Sequence, residues 1–171
     1  MVNDIQIEEL SLIGDNGGEL EQLLVEVVAQ GASIGFLPPV GQTVAARYWA
    51  QVPGPDVVLY TAKLNNRIVG TVQLHLCGKQ NGLHRAEIAK LMTHPDYRRQ
   101  GIGRLLMQRA EEGAVAEGRT LLVLDTREGD PSNRLYASIG YIQAGRIPGY
   151  ARSANGELHA TIFYYKCLFK S

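Results

Sequence analysis

Cysteine is almost absent from this chain: Cys77 and Cys167 are the only two in 171 residues. A chain of this length buries a core that stands without a disulfide, so both are expected as free thiols in a reducing compartment. An excess of charge of either sign is also missing. Lysine plus arginine and aspartate plus glutamate stand at 17 each, which removes the broad field that draws a protein to nucleic acid and leaves only local basic sites. No apolar run approaches the length of a membrane span, and the opening MVNDIQIEEL has neither the basic region nor the apolar stretch of a signal peptide. A cytoplasmic protein is expected, with neither nucleic acid nor membrane as partner. His75, His84, His94 and His159 are too scattered for metal-ligand spacing, so no metal is expected, and no Ser-His-Asp pattern stands out.

What is present is an alternating order of elements without repeats, read as one domain over residues 1–171. IQIEEL alternates apolar and polar residues as a strand does, and GELEQLLVEVVAQ sets Leu20, Leu23, Leu24 and Val27 at helical spacing. After the GFLPPVG break a second helix is expected over Gln42 to Ala50. DVVLYTAKL and RIVGTVQLHLC flank Asn65-Asn66, a pair tolerant of positive φ, and read as a hairpin. AEIAKLMTH is a further strand, followed by a helix from about Gly101 to Glu117 with Gly118 at its C-terminal cap. TLLVLDT reads as a strand buried on both faces, PSNRLYASIG as a short helix, and YIQAGRI and ELHATIFYYKCLF as closing strands. The order β-α-α-β-β-β-α-β-α-β-β predicts an α/β fold, a mixed sheet with helices on both sides.

The stretch HPDYRRQGIGRLLMQ carries the chemistry. Glycine costs a helix roughly 1 kcal/mol relative to alanine, yet this helix starts with two. A strand, a turn and a glycine-containing helix start, followed by a parallel strand, put free backbone N–H groups and a positive dipole end at one edge of the sheet. Glycines allow close approach to those N–H groups, and Arg98 and Arg99 add charge-assisted hydrogen bonds, so the stretch reads as a pyrophosphate site. Its plain alternative is a pair of solvated arginines beside glycines that only fit tight packing. A P-loop is excluded because Ile102, Gly103 and Arg104 stand where Lys and Ser or Thr are needed.

These residues resemble the pyrophosphate motif of the GCN5-related N-acetyltransferase (GNAT) family, which Arg98-Arg99-Gln100-Gly101-Ile102-Gly103 matches in full, and LYASIGYIQAG resembles the family's later tyrosine motif. The resemblance implies a mostly antiparallel twisted sheet of about seven strands with about four helices. It also implies acetyl-CoA as co-substrate, held by Arg98, Arg99, Gln100, Gly101, Ile102, Gly103 and Arg104, with its pantetheine arm along the backbone of Leu91, Met92 and Thr93. Gly129 stands where many members hold an asparagine, which removes one side-chain contact. Tyr136 matches the family's tyrosine and is the candidate acid for the departing thiolate.

Acetyl transfer needs a neutral amine, and a lysine-like amine of pKa about 10.4 is roughly one part in 10³ neutral at pH 7, so a base is required. Glu87, in an otherwise apolar strand, is one candidate; its alternative is an ion pair with Arg85 or Lys90. Asp125, ending a parallel strand, is the other. Segments such as GASIGF and IPGYARS further resemble a branch of the family that acetylates a small antibiotic amino acid. The acceptor is then expected to be a small amine. Ser33, Phe36, Trp49 and Tyr150 are the candidate pocket residues, Arg47, Arg85 or Arg152 is expected to meet a carboxylate, and the protein is expected as a monomer or homodimer.

Overall fold

The computed structural model describes residues 4–169; Met1–Asn3, part of the stretch read for a targeting signal, and Lys170–Ser171 lie outside the described residues. In chain order the elements are β1 (Gln6–Glu9), α1 (Gly17–Ala29), α2 (Gln42–Ala50), β2 (Val57–Leu64), β3 (Arg67–Leu76), β4 (Arg85–Thr93), α3 (Ile102–Ala116), β5 (Leu121–Arg127), α4 (Ser132–Ser138), β6 (Ile142–Arg152) and β7 (Leu158–Cys167). The strands form one seven-stranded sheet ordered β1-β2-β3-β4-β5-β7-β6. Every neighbouring pair is antiparallel except β4 and β5, which run parallel through α3.

Local chemistry accounts for the ends of these elements. Asn65 and Asn66 both take positive φ, as the two-residue β2–β3 hairpin requires. Gly118, at φ +73°, closes α3: its N–H donates to the Val115 carbonyl and that of Arg119 to the Ala114 carbonyl, the two bonds of a Schellman cap. Both cysteines are free thiols.

Two helical layers cover the sheet unequally. On one face α3 and α4 bury Tyr60, Val72, Leu74, Ile88, Leu122 and Leu124. On the other, α1 and α2 bury Leu59, Ile68 and Met92, which belong to β2, β3 and β4 only. The second face of β5 is therefore left uncovered. This corrects the reading of TLLVLDT as buried on both faces: Leu122 and Leu124 are buried while Asp125 is exposed, because the α1–α2 layer stops short of it. The closing hairpin also differs from expectation. The strand is not confined to YIQAGRI; β6 runs from Ile142 on to Arg152, accommodated by a register shift against β7 between Ile147 and Ala151.

Candidate active site

The parallel pair β4–β5 is bonded only from Arg85 opposite Leu121 to Glu87 opposite Val123. Beyond that point the strands splay, leaving the β4 backbone from Ile88 onward without a partner on its β5 side. A bulge reinforces the opening: against β3, Lys90 and Leu91 stand opposite the single Val72, and Lys90 adopts φ +55°. The splay forms a groove of two joined cavities, of about 610 Å³ and 340 Å³, which share Ala32, Leu91, Arg127, Asp130 and Ser132.

The larger cavity ends at the start of α3. Arg98, Arg99, Gly101, Ile102, Gly103 and Arg104 line it, and so do Leu91, Met92 and Thr93, so the expected co-substrate residues are brought together, Gln100 excepted. Gly101 precedes the helix at φ +80°, and a Cβ built on it meets nothing within 4 Å, so its face is open. The first N–H groups of the helix have no intrahelical acceptor there. Gly103 also has a packing role that the sequence does not show. A Cβ on it would stand 3.2 Å from Leu135 Cδ2, so this glycine admits α4 against α3 as well as lining the cavity. Arg104 Nη2 donates to Ser138 Oγ at 2.9 Å, whereas Arg98 and Arg99 are exposed beside the cavity. Open backbone N–H groups flanked by two arginines fit the pyrophosphate of CoA, and the unpaired β4 edge fits a strand-like amide chain. Gly129 lies in a turn at φ +87°; Asn133 is spent on that turn, donating to the carbonyls of Arg127 and Asp130 and accepting from Tyr164 Oη.

The smaller cavity holds the titratable groups. Glu87, Asp125 and Tyr136 all line it. Glu87 is exposed on β4, yet desolvation by its surroundings, with the negative charge of Asp125 second, raises its carboxyl above the ordinary value, while Lys90 pulls it down. Asp125 Oδ2 accepts from Thr161 Oγ1 at 3.0 Å. Tyr136 is only 5% exposed, its ring 5.8 Å from those of both Tyr141 and Tyr164. Burial first, then Asp125, pushes its phenol well above the usual range, so it keeps its proton at any working pH.

The acceptor residues divide. Ser33, in the Ala32–Gly35 turn, lines the smaller cavity, and so does Tyr150, set edge-on against Phe163 at 5.7 Å. Trp49 does not: it is 1% exposed in the core beneath α2. Phe36 packs edge-on against Tyr48 at 5.1 Å and is absent from both cavity walls. Arg85 opens β4 at the opposite end from α3, beside Gly82. Arg47 is exposed on α2, and Arg152 Nη1 donates to the Gly156 carbonyl, so none of the three arginines reaches the cavity. Lys90, read from sequence only as a possible partner of Glu87, is a cation that does line the cavity. Arg127, missed from sequence, stands where a strand ends at the ligand edge of a parallel pair, a position that was readable. Its guanidinium bonds Asp130 Oδ1, Ser153 Oγ and the Gly31 carbonyl, pinning three walls of the groove together.

An anion cradle that opens into an acidic acceptor cavity is the layout of a group-transfer enzyme with a phosphorylated co-substrate. Residues 36–141 match the model of the Acetyltransferase (GNAT) family. The chain belongs to that family and is an acetyl-CoA-dependent acetyltransferase. Over 133 residues it is 29% identical to an uncharacterized N-acetyltransferase from the hisH-hisA intergenic region of Azospirillum brasilense, covering 74% of this chain and 78% of that protein. Its fold is similar to that of ribosomal-protein-alanine N-acetyltransferase from Brucella melitensis, with TM-score 0.81 and 17% identity over 95% of this chain and 99% of the other. It is similar too to an aminoglycoside 6'-N-acetyltransferase complexed with coenzyme A, with TM-score 0.77 and 18% identity over 97% and 98% of the chains. Among the described residues no group of His, Cys, Asp and Glu is arranged to hold a metal ion, and no helix is long and apolar enough to cross a membrane.

Proposed function

We propose that the protein acetylates the primary amine of a small, amino-acid-like molecule. The observation that carries this reading is the size and closure of the acceptor cavity: about 340 Å³, walled by Glu87 and Asp125 and narrowed by the Ala32–Gly35 turn and Tyr150. That volume suits a compact amine better than an extended peptide. Resemblance of GASIGF, NGLHRAEIAKLM and IPGYARSANGELHATIFYYK to tabtoxin resistance protein, which acetylates a small antibiotic amino acid, supports the same substrate class.

Acetyl-CoA supplies the acetyl group as an activated thioester. The α3 start, with Arg98 and Arg99, holds the pyrophosphate, and the unpaired β4 edge near Leu91 aims the thioester toward the smaller cavity. Glu87 takes the proton of the incoming ammonium, for which a raised pKa makes it the better base, and Asp125 attracts the same cation. The neutral amine attacks the thioester carbonyl, the C–S bond breaks, and the second amine proton leaves with the departing sulfur, to which Tyr136 donates a hydrogen bond. As a CoA-like thiol has pKa near 8.5, a much less acidic phenol stabilises the thiolate without surrendering its proton.

A thiol-release assay over small amines, amino acids and amino-acid-like antibiotics, with histone and ribosomal peptides beside them, tests this reading. Turnover is expected with small amines and little with peptides; a clear preference for peptides overturns it.

A further inference from the structure

The charges around the acceptor cavity are unevenly matched. Glu87, Lys90, Asp125, Arg127 and Asp130 line it. Arg127 and Asp130 neutralise each other through contacts of 3.0 and 2.9 Å. Two carboxylates, Glu87 and Asp125, remain for the amine. Lys90 remains as the one cation without an ion pair among the described residues lining that wall. Cross-strand from Glu87 stands His75, whose pKa is lowered by burial and by Lys90, so it adds no second positive charge near neutrality.

The backbone of Lys90 is as informative as its charge. The left-handed residue of a strand bulge is ordinarily glycine, and here a lysine takes φ +55°. Its Nζ lies 3.4 Å from the site of a Cβ on Gly35, so the side chain reaches from β4 to the Ala32–Gly35 turn in the cavity that Asp125 and Thr161 also line. Without that bulge the residue would follow the alternation of its strand. A strained position kept by a long cationic side chain in a ligand cavity points to a ligand contact.

We propose that Lys90 binds an anionic group of the acceptor, a carboxylate in the first instance, so that the preferred substrates carry an amine and an acid within one small molecule. This rests on the small-amine reading above. It replaces Arg47, Arg85 and Arg152, none of which reaches the cavity, and makes Lys90 a specificity-determining residue.

Matched pairs test it: free amino acids and the corresponding carboxamides, assayed with wild type, Lys90→Gln and Lys90→Arg. Removing Lys90 also shifts Glu87, but that affects both members of a pair and cancels in the ratio of their kcat/KM values. The acid-to-amide ratio is expected to fall by roughly 10- to 100-fold in Lys90→Gln, the worth of a charge-assisted hydrogen bond. The loss should lie chiefly in KM, with part recovered in Lys90→Arg. Lys90→Asn, which tolerates positive φ, serves if the glutamine variant fails to fold. An unchanged ratio, or a wild type that prefers amides, overturns the role of Lys90 and leaves the small-amine reading standing. No turnover of either member of any pair by wild type overturns both.

Discussion

In the proposed reaction Glu87 is the base, and its environment gives a testable pH dependence. Desolvation by its surroundings and then Asp125 raise its pKa, and a base works in its ionised form, so kcat/KM is expected to fall as pH drops through that raised value. Glu87→Gln should remove this acidic limb, with partial recovery at high pH as free amine accumulates. If the limb survives there and vanishes in Asp125→Asn, Asp125 is the base. The same shift has a stability consequence of opposite sense. Folding favours protonated Glu87, so its contribution is fully present below the unfolded pKa of about 4.3 and is lost as pH rises through the folded value. Thermal melts should then show Glu87→Gln gaining on wild type near neutrality but not near pH 4; an equal difference at both would contradict the shift. Tyr136→Phe should lower kcat by roughly 10- to 1,000-fold without moving that limb, since a hydrogen bond rather than a base is lost. An unaltered kcat would remove Tyr136 from the reaction.

At the scale of elements, the placing of α3 sets the proposed co-substrate end of the groove, and Gly101 before it and Gly103 and Gly113 within it do separate work. Gly101 opens the helix start, Gly103 admits Leu135, and Gly113 lies against Tyr60, whose Oη a Cβ there would overlap. The motif was legible as a unit, but the division was not: a spacing records that small residues are needed and not which neighbour needs them. Helix propensity favours alanine over glycine by about 1 kcal/mol. Gly113→Ala should nonetheless destabilise, because Tyr60 is 2% exposed with the Arg109 guanidinium 4.7 Å from its ring and has no room to yield. A Tm above wild type would show that α3 is seated more loosely than described. The Lys90 bulge was equally hidden, as nothing in AEIAKLMTH marks a left-handed residue.

At the largest scale, periodicity and turn chemistry were enough to place in order the seven strands and four α-helices of the described residues. Those signals are local, carried by residues such as Asn65-Asn66 and Gly118. What they could not convey is how far one layer extends over another. The α1–α2 layer ends before β5, which exposes Asp125 on the side where the β4–β5 splay forms the smaller cavity, while Trp49 packs within that layer as core rather than pocket wall. The groove, at once splayed and half covered, is the central claim, and its co-substrate end can be tested directly. Aspartate accepts positive φ better than most residues, and the Cβ site of Gly101 is empty, so Gly101→Asp should fold normally while placing a carboxylate where the pyrophosphate binds. Calorimetric titration with CoA should show binding to wild type and at least about 100-fold weaker binding to folded Gly101→Asp, from lost charge-assisted bonds and added repulsion. Equal affinity in the two proteins would contradict the assignment of this groove.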